Sequence, residues 1–197
     1  MMTLLVATTN AGKWREVRAT LAGLALDLRS LADLPPASEP EETGLTFADN
    51  ALLKARYWAR RAPPGWLTVA EDSGLEIDAL GGAPGVRSAR YPGEAYADKF
   101  ANLYRALAGH PQPWTARYTC ALAMVDKAGR VRFACETCVE GEINAEPRGE
   151  YGFGYDPIFR YPDYGRTFGE ATDAEKLAVS HRGRAFRELA AWLAANG

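Results

Sequence analysis

The chain of 197 residues is long enough for one large domain, or two closely packed lobes, with a proper core. Hydrophobic residues make up 47% and charged residues 24%, the balance of a soluble globular protein, and a formal net charge of -2 supplies no global positive field to draw it to nucleic acid. No apolar run reaches the ~18 residues of a membrane span, and "MMTLLVATTN" has neither a basic start nor a long enough apolar core for a signal peptide. The expectation is a cytoplasmic protein with no membrane and no nucleic-acid partner.

The elements follow in chain order. "TLLVAT" (Thr3 to Thr8) reads as a short buried strand, and Trp14, Val17 and Leu21 then fall at helical spacing. "LDLRSL" is a second strand, and "DLPPASEPEETG", with its prolines and acidic tail, is a loop. Thr46 is placed as an N-cap for a helix carrying Phe47, Ala51, Ala55 and Trp58 through Arg61. "LTVAED" and "LEIDAL" read as two strands around an acidic turn holding Glu71, Asp72 and Glu76, followed by Gly81, Gly82, Pro84 and Gly85. Phe100, Leu103, Tyr104 and Leu107 mark a further amphipathic helix, closed by Gly109 and Pro111. "TARYTCALAMV" and "RVRFACETCVE" flank "DKAG", a hairpin signal. Thr172 and Glu175 form a capping box, and Phe186, Leu189, Ala190 and Leu193 give the last helix its apolar stripe. The pattern is α/β with a mixed sheet, and the C-terminal helix is expected to pack back on the first half.

The three cysteines, Cys120, Cys135 and Cys138, include a C-x-x-C spacing. In "VRFACETCV" that spacing lies on a strand pattern, where positions i and i+3 face opposite sides, so the two thiols are not expected to grip one ion.

Four stretches depart from what packing requires. "TTNAGKWRE" runs from a strand into a helix start, whose unpaired N–H groups and positive end suit a phosphate, while a capped helix with a solvated lysine is the plainer alternative. It is not the P-loop spacing. The acidic stretch at Glu71 and Asp72, with Glu41 and Glu42 upstream, offers the carboxylates that a hard cation takes alongside phosphate oxygens, although exposed acidic turns are common. In "GEYGFGYDPIF", Gly152 and Gly154 bracket Phe153, an aromatic that could stack on a flat base or belong to a core turn. In "DAEKLAVSHRGRAF", Lys176, His181 and Arg182 gather at the join of two helices, and the Arg182 fork suits a keto oxygen or phosphate. A helix start capped by Ser180 is the plainer alternative there.

Together these stretches resemble one family, the inosine triphosphate pyrophosphatases. The resemblance runs nearly the whole length, through "TTNAGK", "EETGLTFADNALLKA", "AEDSGLEIDALGGAPGVRSARYPGE", "GFGYDPIF" and "EKLAVSHRGRA" in the family's order. Bacterial members often carry Asp-Asp-Ser-Gly where this chain has Glu71-Asp72-Ser73-Gly74, which keeps the charge and the second Asp. The resemblance implies an elongated mixed sheet flanked by helices, a single ITPase-like α/β domain of two lobes with a central cleft, usually as a homodimer. It implies Mg²⁺-dependent cleavage of ITP, dITP and XTP to the nucleoside monophosphate and pyrophosphate. By matching position, Thr8, Thr9, Asn10, Ala11, Gly12 and Lys13 hold the triphosphate. Asp72 is the catalytic carboxylate and a metal contact, and Ser73 touches the substrate. Phe153, Gly154, Tyr155, Asp156, Lys176, His181 and Arg182 form the base and phosphate pocket. Either Glu41 or Glu42 shares the metal. A nucleotide-binding protein without catalysis is the alternative, and Asp72 with its acidic partners weighs against it.

Overall fold

The computed structural model describes residues 1–196. The elements run β1 (Met2–Val6), α1 (Ala11–Thr20), β2 (Leu26–Ser30), α2 (Phe47–Ala59), β3 (Leu67–Ile77), α3 (Tyr96–Leu107), β4 (Trp114–Val125), β5 (Val131–Ile143), β6 (Phe159–Tyr161), β7 (Arg166–Thr167), α4 (Asp173–Val179) and α5 (His181–Asn196), with short 3₁₀ turns between several of them. One seven-stranded sheet has the order β2-β1-β3-β4-β5-β6-β7. β1 pairs in parallel with β2 and β3, whereas β5–β6 and β6–β7 are antiparallel, so the sheet is mixed and the chain is α/β. No helix among the described residues is long and apolar enough to cross a membrane.

The chain divides into two compact units. Unit 1 is Met1–Asp72, Cys120–Thr137 and Arg182–Gly197; unit 2 is Ser73–Thr119 and Cys138–His181. Each has its own core. In unit 1, Leu4, Val6, Val17, Leu21, Val69, Leu122 and Met124 pack with Phe186, Leu189 and Leu193 of α5, as the stripe on that helix predicts. In unit 2, Leu75, Ile77, Phe100, Leu103, Leu107, Tyr118, Phe159 and Phe168 form a second cluster, rich in aromatic rings.

Local rules account for much of this. Thr46 caps α2: its side chain accepts from the Asp49 amide while Asp49 accepts from the Thr46 amide, a reciprocal box that satisfies two donors of the helix start. The "DKAG" turn is closed by Asp126, whose amide donates to the Arg130 carbonyl and whose carboxylate takes the Ala128 and Arg130 amides.

Two expectations are corrected. The acidic turn is not a turn: Glu71, Asp72, Ser73 and Gly74 lie inside the single strand β3, eleven residues long. Polar side chains in mid-strand imitate a break, but here the carboxylates are buried and partnered, which a strand tolerates. β1 ends at Val6 instead of reaching Thr8, because the Thr8 amide turns back to the Val6 carbonyl and leaves Thr8 in the approach to α1. The short strands β6 and β7 carry too few residues to show a period-two pattern.

Candidate active site

The N-terminal end of α1 is built by its own side chains. Asn10 is the N-cap, its Oδ1 accepting from the Lys13 amide at 3.0 Å, while Thr8 Oγ1 accepts from the Asn10 amide at 3.2 Å. Thr9 donates to Glu39 at 2.5 Å. Thr9, Asn10 and Ala11 are exposed; Thr8, Gly12 and Lys13 are half-buried. The Lys13 ammonium sits 2.5 Å from Glu71 Oε1.

Because β3 is continuous, Glu71 and Asp72 point to opposite sides of it. Their surroundings differ accordingly. Glu71 faces Lys13, the Arg182 guanidinium at 3.5 Å and the Cys120 thiol, which donates to its Oε2 at 3.3 Å. Arg182 is held in turn by Glu16 of α1 at 2.6 Å. Asp72 faces Lys54, 2.7 Å away, and the Asn50 amide, which donates at 3.2 Å. Lys54 also contacts Glu42 at 2.9 Å, so Asp72 and Glu42 converge on one ammonium. Glu41, the other half of that pair, is exposed.

The environments push the two neighbouring carboxyl groups apart. Burial alone would raise Glu71, but Arg182, Lys13 and Lys54 outweigh it and hold this carboxyl well below the usual range. Burial raises Asp72 above its ordinary value against the pull of Lys54, with Glu42 and Glu71 adding to the rise. Glu71 is thereby a fixed anion and Asp72 the better proton acceptor of the two.

The Asp72 side offers oxygen donors of the kind a divalent cation takes. Two carboxylates already share one positive charge there, and a hard cation such as Mg²⁺ is held by one or two carboxylates plus substrate oxygens. The residues fit. Among the described residues, no group of three or more His, Cys, Asp or Glu is placed to hold a metal ion.

Unit 2 carries the remaining expected residues. Gly152 and Gly154 adopt positive φ (72° and 68°), and a Cβ on Gly152 would collide with the Asp156 carboxylate. The tight turn wraps Asp156: its Oδ2 accepts from the Phe153 amide at 2.7 Å and from the Lys176 ammonium at 2.6 Å. Lys176 also lies 4.3 Å from the Phe153 ring centroid, over its face. The Lys176 and Asp156 side chains are each only 2% exposed. α4, which positions Lys176, is seven residues long and starts from the Thr172–Glu175 capping box. Tyr155 is a core residue, its hydroxyl donating to the Ser88 carbonyl at 2.8 Å. His181 is buried, stacked on Tyr118, and Ser73 is half-buried.

Thus Lys13 gathers with Glu71 and Arg182, Asp72 with Glu42, and Phe153, Asp156 and Lys176 form a third cluster. The Arg182 fork, expected on a keto oxygen or phosphate, contacts Glu16 and Glu71. Sequence reasoning named no role for Asn50, Lys54, Glu16 or Tyr118. Asn50 and Lys54 had a signal: they stand four apart on α2 beside the buried Ala51 and Ala55, so polar groups occupy the helix's inward face.

The chain matches the model of the Ham1 family over residues 4–192. It is 47% identical to the dITP/XTP pyrophosphatase of Geobacillus kaustophilus over 192 residues, covering 96% of this chain and 93% of that one. With the dITP/XTP pyrophosphatase of Bacillus subtilis it shares 44% identity, covering 99% and 98%. Among solved structures, a HAM1 protein from Coxiella burnetii superposes with a TM-score of 0.89 at 37% identity, covering 99% of this chain and 100% of that one.

Proposed function

The chain belongs to the Ham1 family, and from that membership and its acidic strand we propose that it is a nucleoside triphosphate pyrophosphatase acting on dITP, XTP and ITP. Water attacks the α-phosphorus, the bond to the bridging oxygen breaks, and the nucleoside monophosphate and pyrophosphate leave. The reaction would clear altered purines from the nucleotide pool. The observation that carries this reading is the convergence of Asp72 and Glu42 on one cation, next to an anion, Glu71, that anchors Lys13.

We assign the chemistry as follows. The α1 end, Thr8 to Lys13, binds the triphosphate through its amides, its hydroxyls and the Lys13 ammonium. Asp72 and Glu42 would hold Mg²⁺, which neutralises phosphate charge and makes pyrophosphate a better leaving group. Asp72 orients the attacking water and accepts its proton. Lys13 offsets charge as it moves to the leaving group. In unit 2 the Phe153 ring is the stacking platform for the base, fixed by the Asp156–Lys176 pair, with His181 and neighbouring backbone as donors to the 6-keto oxygen. Ser73 joins the substrate contacts. The assembly is proposed to be a homodimer, which light scattering would test.

This pocket predicts a base preference. Donors facing a keto oxygen meet another donor when adenine is bound, and each unpaired buried donor costs roughly 1–3 kcal/mol, about 5- to 150-fold. Guanine shares the keto group, so it must be refused at its 2-amino group. kcat/KM is to be compared for ITP, XTP, ATP and GTP under one Mg²⁺ condition. ITP and XTP should be cleaved far faster; equal rates for ITP and ATP would sink the assignment.

A further inference from the structure

One side chain of unit 2 touches two members of the base-side cluster and has no part in the reading above: Tyr118 of β4. Its ring lies 4.7 Å from the His181 imidazole, centroid to centroid, with the planes 11° apart. Its hydroxyl donates to Asp156 Oδ1 at 3.4 Å, while Oδ2 of the same carboxylate takes Lys176 and the Phe153 amide. Burial, with Asp156 adding to it, holds the hydroxyl well above its ordinary pKa, so it stays a donor. The ring is backed by Phe159 at 4.5 Å and by Phe168, both fully buried. It is a wall that cannot swing away.

An imidazole joined through one broad terminal torsion has no strong rotamer of its own. A near-parallel aromatic face against it selects one ring plane. A hydrogen bond weakens steeply when its donor is misaimed, so whatever sets that plane sets how sharply a donor on the ring tells a keto oxygen from an amino group.

We propose that Tyr118 is a positioning residue for base selection, fixing the plane of His181 by stacking and closing the Oδ1 side of Asp156. The inference rests on the reading that His181 and Asp156 serve the base. It separates base choice from the phosphate chemistry, which the proposed function gives to the residues of unit 1.

The chain has two histidines, and the other, His110, is exposed, so the imidazole signals are easily told apart by NMR on the intact protein. In the wild type the His181 ring protons should lie upfield of those of His110, shifted by the Tyr118 ring. In Tyr118→Leu that shift should vanish, and the ITP-to-ATP ratio of kcat/KM should fall about tenfold, with KM for ITP moving more than kcat. Tyr118→Phe keeps the stack, so it should restore the shift and most of the ratio. An unshifted His181 in both the wild type and Tyr118→Phe overturns the inference even if Tyr118→Leu does not fold. So does a folded Tyr118→Leu with an unchanged ratio. In those two outcomes the wild type still prefers ITP; a wild type without that preference removes the proposed function and this role together.

Discussion

The two units use the same pair of residue types, lysine and aspartate, in opposite ways. In unit 2, Lys176 and Asp156 neutralise each other in near-complete burial, and the carboxylate is further held by a backbone amide and a hydroxyl. In unit 1, Lys54 is divided between Asp72 and Glu42, and the Glu42 side chain is 25% exposed. A lysine shared between two carboxylates, one of them partly open to water, contrasts with a lysine and an aspartate that meet in near-complete burial. The first arrangement suits a site where a cation and a polyanion come and go, the second a fixed frame. Breaking the Lys54 cluster should therefore cost mainly turnover, and breaking the Lys176–Asp156 pair mainly stability.

The largest effect is expected in unit 1. Asp72→Asn removes the proton acceptor and one of the two convergent carboxylates while keeping the shape, so kcat on ITP should fall by about 10²–10⁴. Chelation of divalent cations should abolish activity in the wild type, and added Mg²⁺ should restore it. The thermal midpoint of Asp72→Asn should stay within a few degrees of wild type. Near-normal turnover in that variant would take Asp72 out of the mechanism.

Lys176→Met tests the other side. It leaves the Asp156 carboxylate buried without the Lys176 ammonium, and removing one partner of a buried pair costs about 3–5 kcal/mol. At about 2–4 °C per kcal/mol for a chain of this size, the midpoint should drop by roughly 10 °C. Lys54→Met, whose partner Glu42 retains access to water, should move it less and should reduce activity more. Equal midpoints for the two variants would erase the distinction between an open and a closed pair.

A smaller effect is expected of Lys13→Ala. Its ammonium is anchored by Glu71 and assigned to the phosphates, so KM for ITP should rise and kcat should fall as well, each by more than about twofold. Both parameters unchanged would reduce Lys13 to a structural partner of Glu71.

What could be read from the sequence follows a physical division. Features set within one turn of chain were legible: the Thr46 and Thr172 capping boxes, the Asp126 turn and the apolar stripe of α5. β3 was misread because its four polar or glycine residues look like a break unless their partners are known. Those partners, Lys13, Arg182, Lys54 and Asn50, come from elsewhere in the chain. The contact between Glu42 and Lys54 was hidden for the same reason, since only the fold brings the two together. The four motifs could be identified by resemblance, but not the way they group: Arg182 stands next to His181 in sequence, yet its guanidinium belongs to the carboxylates of unit 1 and the His181 ring to the aromatics of unit 2.

The smallest effects compare the two caps. α2 and α4 each begin with a threonine box, and each carries one of the lysines discussed above. Replacing either threonine by alanine should cost ~1 kcal/mol, a loss of about 2–4 °C in midpoint. The consequences for activity should differ with distance from the cap. Lys54 lies two turns into α2, beyond the reach of a frayed first turn, so Thr46→Ala should leave the kinetics near wild type. Lys176 lies one turn from its cap, its amide donating to the Thr172 carbonyl at 2.9 Å. Fraying there loosens the lysine that pins both Asp156 and the Phe153 ring, so Thr172→Ala should raise KM for ITP a few-fold with little change in kcat. Steady-state kinetics on the two variants at a temperature well below both midpoints decide it. A KM that moves equally in both would mean that the caps act only through global stability, and that α4 holds its lysine no more locally than α2 does.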